Sequence, residues 1–141
     1  MMEIVVYEGE YDRSEFYSKI GKYFAEKKYQ NELPYLHNED EKVWFVAVED
    51  EKIAGFASLV IENTKIVLAT SYVEPEFRKK GIYKKLIDAN MKYCKGIEKP
   101  FVCTTNNEIV KKHLEKLGFE IYRQTKNYWF LRKEVEHEKR D

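Results

Sequence analysis

The stretch Val73–Ile87, reading V-E-P-E-F-R-K-K-G-I-Y-K-K-L-I, constrains this chain more than any other. It leaves an apolar segment (Ile66–Val73), crosses a proline and a basic loop with one glycine, and enters a helical pattern. Ile82, Leu86, Met91 and Cys94 fit one face of a helix beginning near Gly81. Strand, tight loop and helix N-terminus in that order make an anion cradle, because the first N–H groups of a helix have no intrahelical partner. A phosphate suits such a place. Gly81 lets the backbone turn and come close without a Cβ in the way. Arg78, Lys79, Lys80, Lys84 and Lys85 put five cations within eight residues. Any solvated face can show such a charge run, so the order of elements carries more weight than the charge.

The rest of the chain alternates strand and helix patterns. Ile4–Tyr7 reads as a first strand, and Asp12 or Ser14 caps a helix with Phe16, Ile20 and Phe24 on one face. Tyr29–Lys42 is polar, contains Pro34 and has no clean period, which predicts a loop or a short irregular helix. Val43–Val48 and Lys52–Ile61 form a hairpin, and Gly55 marks a bulge or a close backbone approach. Lys65–Val73 feeds the basic loop; helix Ile82–Lys95 and strand Phe101–Thr105 follow. Thr105 and Glu108 have the spacing of a capping box for helix Glu108–Leu117, which Gly118 ends. Phe119–Tyr122 and Asn127–Arg132 read as a last hairpin, with Tyr122, Tyr128 and Trp129 as sheet core. Hairpins mixed with crossover helices predict an α/β (α+β) domain with a mixed sheet and helices on both faces.

Length allows one domain, expected over residues 1–132, with a charged, frayed tail over 133–141. No apolar run approaches a membrane span, and M-M-E-I-V-V-Y lacks the features of a secretory signal; no membrane partner and a cytoplasmic location are the expectations. Cys94 and Cys103 lack metal-ligand spacing, and no metal is expected. The net charge is zero, which argues against a nucleic-acid partner. Residues 1–63 carry 7 Lys+Arg and 14 Asp+Glu, whereas residues 64–141 carry 18 and 11. A polyanion would favour the second half and a cation the first.

Val-x-Pro followed by Arg-x-x-Gly resembles the acetyl-coenzyme A signature of the GNAT superfamily of N-acetyltransferases, roughly Arg/Gln-x-x-Gly-x-Gly/Ala. Arg78 and Gly81 match, and Tyr83 stands where the family has Gly or Ala. W-F-V-A-V-E-D-E-K-I-A-G-F-A (Trp44–Ala57) is similar to the family's second and third strands. Asn107 with Lys116-Leu117-Gly118-Phe119 is similar to its later motif. The resemblance covers nearly the whole chain. It implies a mostly antiparallel sheet of about seven strands that splays between strands four and five, here Lys65–Val73 and Phe101–Thr105. It also implies that acetyl-coenzyme A is the co-substrate. Its pyrophosphate would lie on the amides of Arg78, Lys79, Lys80, Gly81, Ile82 and Tyr83. Its arm would lie on backbone at Tyr72 and Val73 and touch Asn107, whose plain alternative is helix capping.

The implied reaction is direct attack of a primary amine, on a small molecule or peptide, in a ternary complex. A lysine-type amine is neutral only to roughly one part in 10³ at pH 7, so its proton matters. The family's Tyr near the departing sulfur corresponds to Leu114 here. The catalytic candidates left are His113, Glu62 and Tyr72, and the substrate-side candidates are Tyr35 and His37 beside the acidic run Glu39-Asp40-Glu41. Leu114 keeps open a non-catalytic protein of the same fold that binds coenzyme A or a protein partner. A homodimer through the terminal strands is compatible with either.

Overall fold

The computed structural model describes residues 2–33 and 36–135. Its strands are β1 (Met2–Tyr7), β2 (Lys42–Glu49), β3 (Lys52–Ile61), β4 (Ile66–Val73), β5 (Phe101–Thr105), β6 (Glu120–Gln124) and β7 (Trp129–Lys133). Its helices are α1 (Arg13–Ala25), α2 (Lys27–Glu32), α3 (Ile82–Tyr93) and α4 (Glu108–Lys116), with a 3₁₀ turn at Pro75–Phe77. The seven strands form one sheet in the order β1-β2-β3-β4-β5-β7-β6. Every pair is antiparallel except β4 with β5. The expected mixed sheet and its element order are therefore present. Lys133, expected at the start of the tail, is the last residue of β7, and residues 136–141 lie outside the described residues.

Two apolar layers hold the helices to opposite faces. One joins Phe45, Leu59, Ile66, Leu68, Cys103 and Leu131 of the sheet to Ile82, Leu86 and Ile87 of α3 and Leu114 of α4. The other joins Trp44, Val46, Phe56 and Tyr72 to Phe16, Ile20 and Tyr23 of α1 and Tyr29 of α2. In α1 the side chain of Asp12 caps the Glu15 amide at 3.1 Å, and the i, i+4, i+7 positions Phe16, Ile20 and Tyr23 are buried. Tyr23, not Phe24, completes that stripe. This second layer is largely aromatic, with Tyr23 edge-on to Phe56 at 4.9 Å and Phe16 against Trp44 at 5.4 Å. Such pairs contribute about 0.5–1.5 kcal/mol each beyond area burial.

Two irregularities in the sheet shape its centre. Gly55 pairs with Val73, and a Cβ there would lie 2.4 Å from the Tyr72 carbonyl oxygen. That close approach is why glycine stands inside this strand. The second irregularity is in β4. Leu68 opposes Leu59 and Ser71 opposes Ala57, so Ala69 and Thr70 together face Ser58. The buried Ser58 hydroxyl accepts the Thr70 amide at 3.2 Å and holds this bulge. The extra residue reverses the side-chain alternation: Leu68 and Val73 pack on the α3/α4 layer, whereas Tyr72 packs on the α1/α2 layer.

Candidate active site: a gap between two strands and a row of amides

The bulge turns the end of β4 away from β5. The two strands pair only at Ile66–Leu68 with Phe101–Cys103. Beyond Leu68, β4 keeps its partner β3, and Thr104 and Thr105 keep theirs in β7, but β4 and β5 no longer bond to each other. The result is a V-shaped gap walled by Ala69–Val73 on one side and Thr104–Thr105 on the other. The side chains in its β4 wall are open: Ala69 is exposed, and Thr70 and Ser71 are half-buried.

At the open end of the gap stands the basic loop. Lys79 and Gly81 both have positive φ, at 66° and 77°. The first amide of α3 that bonds back is that of Lys85, to Gly81 O at 3.1 Å. Among the described residues, no amide from Lys79 to Lys84 makes a hydrogen bond of ordinary geometry. Consecutive amides in such a turn, ahead of a helix dipole, form a concave anion site. A Cβ built on Gly81 meets nothing within 4 Å. Glycine is required there by φ and not by crowding.

Arg78 has a different task from the one its charge suggests. Its Nε donates to Val73 O at 2.9 Å, its guanidinium is 3.5 Å from Glu32 at the end of α2, and it lies over the Tyr72 ring at 5.6 Å. The side chain thus ties the loop to α2, while Lys79, Lys80, Lys84 and Lys85 remain exposed at the rim. Glu74 makes a parallel tie. Its Oε1 accepts the hydroxyls of Tyr23 at 2.5 Å and Tyr29 at 3.0 Å, one from each of α1 and α2. Neither bond was legible in the sequence, because residues 51 and 45 positions apart give no local signal. Burial, and then the Glu74 contact, pushes the Tyr29 phenol up to about 12 and raises Tyr23 further. Burial also pushes Tyr72 up to about 12. These three phenols are protonated at neutral pH, and Tyr72 is not a base.

The other sequence candidates lie as follows. Asn107 caps α4: its Oδ1 accepts the amides of Ile109 at 2.9 Å and Val110 at 3.2 Å. Thr105 instead accepts the Asn107 amide at 3.1 Å, so the expected capping box does not form. Asn107 nevertheless sits directly after the β5 wall of the gap. Glu62 lies in the turn before β4, paired with Lys65 at 3.9 Å. The eight residues of β4 separate it from the basic loop, about 25 Å at a strand's rise. His37 is exposed, 3.7 Å from Glu39, and its carbonyl accepts Lys42 Nζ at 2.8 Å. Lys42 pairs with Val60, so His37 and the acidic run stand at the end of the sheet opposite the loop. Glu39-Asp40-Glu41 thus stand away from the basic loop, whereas Tyr29 and Glu32 of α2 reach that end through Glu74 and Arg78. Tyr35 lies outside the described residues.

His113 is half-buried on α4, and its Nε2 is buried without a hydrogen-bond partner among the described residues. Burial first, and then Lys84 and Lys116, lower its pKa against an opposing pull from Asp88. Leu114 is fully buried in the α3/α4 layer. Tyr83 turns its ring inward from the first turn of α3, edge-on to His113 at 5.2 Å and 75°. Its hydroxyl faces Ser71 on β4 and Cys103 on β5. Cys94 and Cys103 are buried thiols raised to about 11 and about 12, and so are inert.

Among the described residues, the helices cover only half of the sheet on the α1/α2 face. The helical layer there draws on β1 to β4. Strand alternation places Val102, Thr104 and Phe130 on that same face, next to the gap. Val102 and Phe130 are half-buried and Thr104 is exposed. Tyr122, expected in the sheet core, is 57% exposed and leans edge-on against Phe130 at 6.3 Å.

A parallel strand pair that opens beside a row of unpaired amides is the centre of an acyl-coenzyme A transferase fold. The sequence profile of the Acetyltransferase (GNAT) family matches residues 8–119, and the chain belongs to that family. Solved structures agree on the fold. Escherichia coli ElaA superposes with a TM-score of 0.75 at 15% identity, over 95% of this chain and 100% of that one. The PaiA N-acetyltransferase of Thermoplasma acidophilum, in complex with coenzyme A, gives 0.68 at 20% identity over 96% and 99%. The Campylobacter jejuni N-acetyltransferase PseH, in complex with acetyl coenzyme A, gives 0.60 at 20% identity over 95% and 99%. No curated protein matches by sequence. Among the described residues, no helix is long and apolar enough to cross a membrane.

Proposed function

We propose that this chain transfers an acetyl group from acetyl-coenzyme A to a primary amine of a small molecule or peptide, by direct attack in a ternary complex. The observation that carries this reading is the gap between Ala69–Val73 and Thr104–Thr105, opening onto the unbonded amides of Lys79–Lys84. Those amides suit a pyrophosphate, and the exposed lysines at the rim suit the remaining phosphate charge. Tyr72 and Val73 have no partner in β5; the Val73 carbonyl is held by Arg78 Nε, and the remaining backbone groups on that edge of β4 can bond an extended amide arm as a strand would. Asn107 stands at the opposite wall.

What the chain supplies to the chemistry is mainly position. The gap holds an extended acyl donor in line, and backbone amides of β4 serve a developing oxyanion. The acceptor enters from the half-covered face, over Thr104, Val102 and Phe130. No base is assigned in the protein: Glu62 stands at the far end of β4, and the three phenols by α2 stay protonated. The amine therefore arrives neutral from the fraction that solution provides. The test is release of coenzyme A thiol from acetyl-coenzyme A over a panel of amines, with the acetylated product identified by mass. Thiol release that depends on the amine supports the reading. Tight coenzyme A binding with no release across the panel favours the non-catalytic alternative.

A further inference from the structure

Two departures in the sequence meet in space. Leu114 on α4 is fully buried in the apolar layer and offers no proton to the gap. Tyr83, a large side chain in the first turn of α3, reaches inward from the opposite side. Its ring packs against that same layer and stands edge-on to His113 of α4, centroids 5.2 Å apart. Its hydroxyl is bracketed by Ser71 and Cys103. Ser71 belongs to the part of β4 that has left β5, and Cys103 is the last residue of β5 still paired with β4. The phenol therefore stands at the apex of the gap, where the two strands part, on the α3/α4 side.

We propose that the Tyr83 hydroxyl is the catalytic acid of the transfer, protonating the sulfur as it leaves from a thioester seated in the gap. This rests on the acetyltransferase reading. The amine nitrogen bonds to the acetyl carbon, and the carbon–sulfur bond breaks with its electron pair going to sulfur. Tyr83 gives its proton to that sulfur and recovers one from water, which receives the proton the amine sheds. Burial keeps the phenol protonated well above its ordinary range, so it holds a proton until negative charge appears beside it. The neighbouring groups do not compete. Ser71 is a neutral hydroxyl and Cys103 a neutral thiol, while His113 is kept neutral by burial and by Lys84 and Lys116, with Asp88 opposing.

The experiment compares wild type with Tyr83→Phe, which keeps the ring and its packing. Affinities for coenzyme A and for desulfo-coenzyme A are measured by calorimetry from pH 7 to pH 10. A hydroxyl touching the sulfur favours the thiolate, so wild type prefers coenzyme A over the desulfo form increasingly as pH rises, by about tenfold or more. The ratio cancels other titrations that act on both ligands alike. In Tyr83→Phe the ratio stays flat, and amine-dependent turnover falls about 10²-fold or more while desulfo-coenzyme A binds as before. A ratio that is the same in both proteins, with both ligands bound, overturns the assignment and leaves the acetyltransferase reading standing. If neither ligand binds, the cofactor reading and the assignment fall together. A ratio that shifts as stated without turnover of any amine keeps the Tyr83 contact and overturns the acid role and the enzyme reading.

Discussion

Tyr83 and His113 pack edge to face, 5.2 Å between ring centroids, and join the helix that follows the basic loop to the helix that follows β5. The contact gives His113 a structural task. Its pKa is lowered in the folded chain, so the unfolded chain takes up a proton at higher pH. Stability is therefore full above the ordinary histidine pKa of about 6.5 and is lost as pH falls from there through the folded value. Thermal unfolding of wild type should drop between pH 7.5 and 5, and His113→Leu should flatten that drop. At pH 8, turnover of His113→Leu should stay within a few-fold of wild type. A large loss with the alkaline limb of the rate profile gone would make His113 the acid instead.

Gly81 is at φ 77° with open space around it. A residue with a Cβ adopts that conformation at a cost of roughly 1–2 kcal/mol, and β-branching makes it worse. Gly81→Asn should bind coenzyme A nearly as well as wild type. Gly81→Val should shift the loop and lose at least tenfold in affinity by calorimetry. Equal losses in both would indicate crowding against the ligand, not backbone strain.

Glu74 holds Tyr23 and Tyr29 by one oxygen. Glu74→Ala leaves two hydroxyls without their partner and should cost about 1–3 kcal/mol in urea unfolding. Glu74→Gln should cost less, since an amide oxygen still accepts. A Tyr23→Phe, Glu74→Ala double-mutant cycle should show the two effects to be non-additive. Strict additivity would mean that the bond contributes nothing.

Charge reversal at Glu39, Asp40 and Glu41 should leave both the acceptor KM and the cofactor affinity unchanged, because that run lies beyond the far end of β4 from the loop. Phe130→Ala, on the open face beside the gap, should raise the acceptor KM several-fold with coenzyme A affinity intact. The opposite pattern would place the acceptor at the acidic end of the sheet.

The rate should climb with pH from 7 to 9 for a lysine-type acceptor, in proportion to its neutral fraction. A plateau already reached at pH 7 would reveal a base in the protein that serves the amine.

The sequence shows what is local. The strand, basic loop and helix at Val73–Ile87, and the Asp12 and Gly118 helix ends, follow from neighbouring residues and stand in the structure as expected. Side chains that meet across the fold were not legible. Arg78 has the charge of a phosphate ligand, but Glu32 and Val73 claim its side chain. The acidic run at Glu39–Glu41 has the charge of an amine site but is carried away by the loop after α2. The inward turn of Tyr83 depends on where Ser71 falls, and that depends on a bulge in β4 with no marker in its own residues.

A crystal structure of this chain with acetyl-coenzyme A tests the gap and the amide row most directly. The pyrophosphate should lie on the amides of Lys79–Lys84 and the arm between Ala69–Val73 and Thr104–Thr105, with the sulfur within hydrogen-bond reach of Tyr83. A complex with the cofactor elsewhere, or with β4 and β5 bonded along their full length, would contradict that placement.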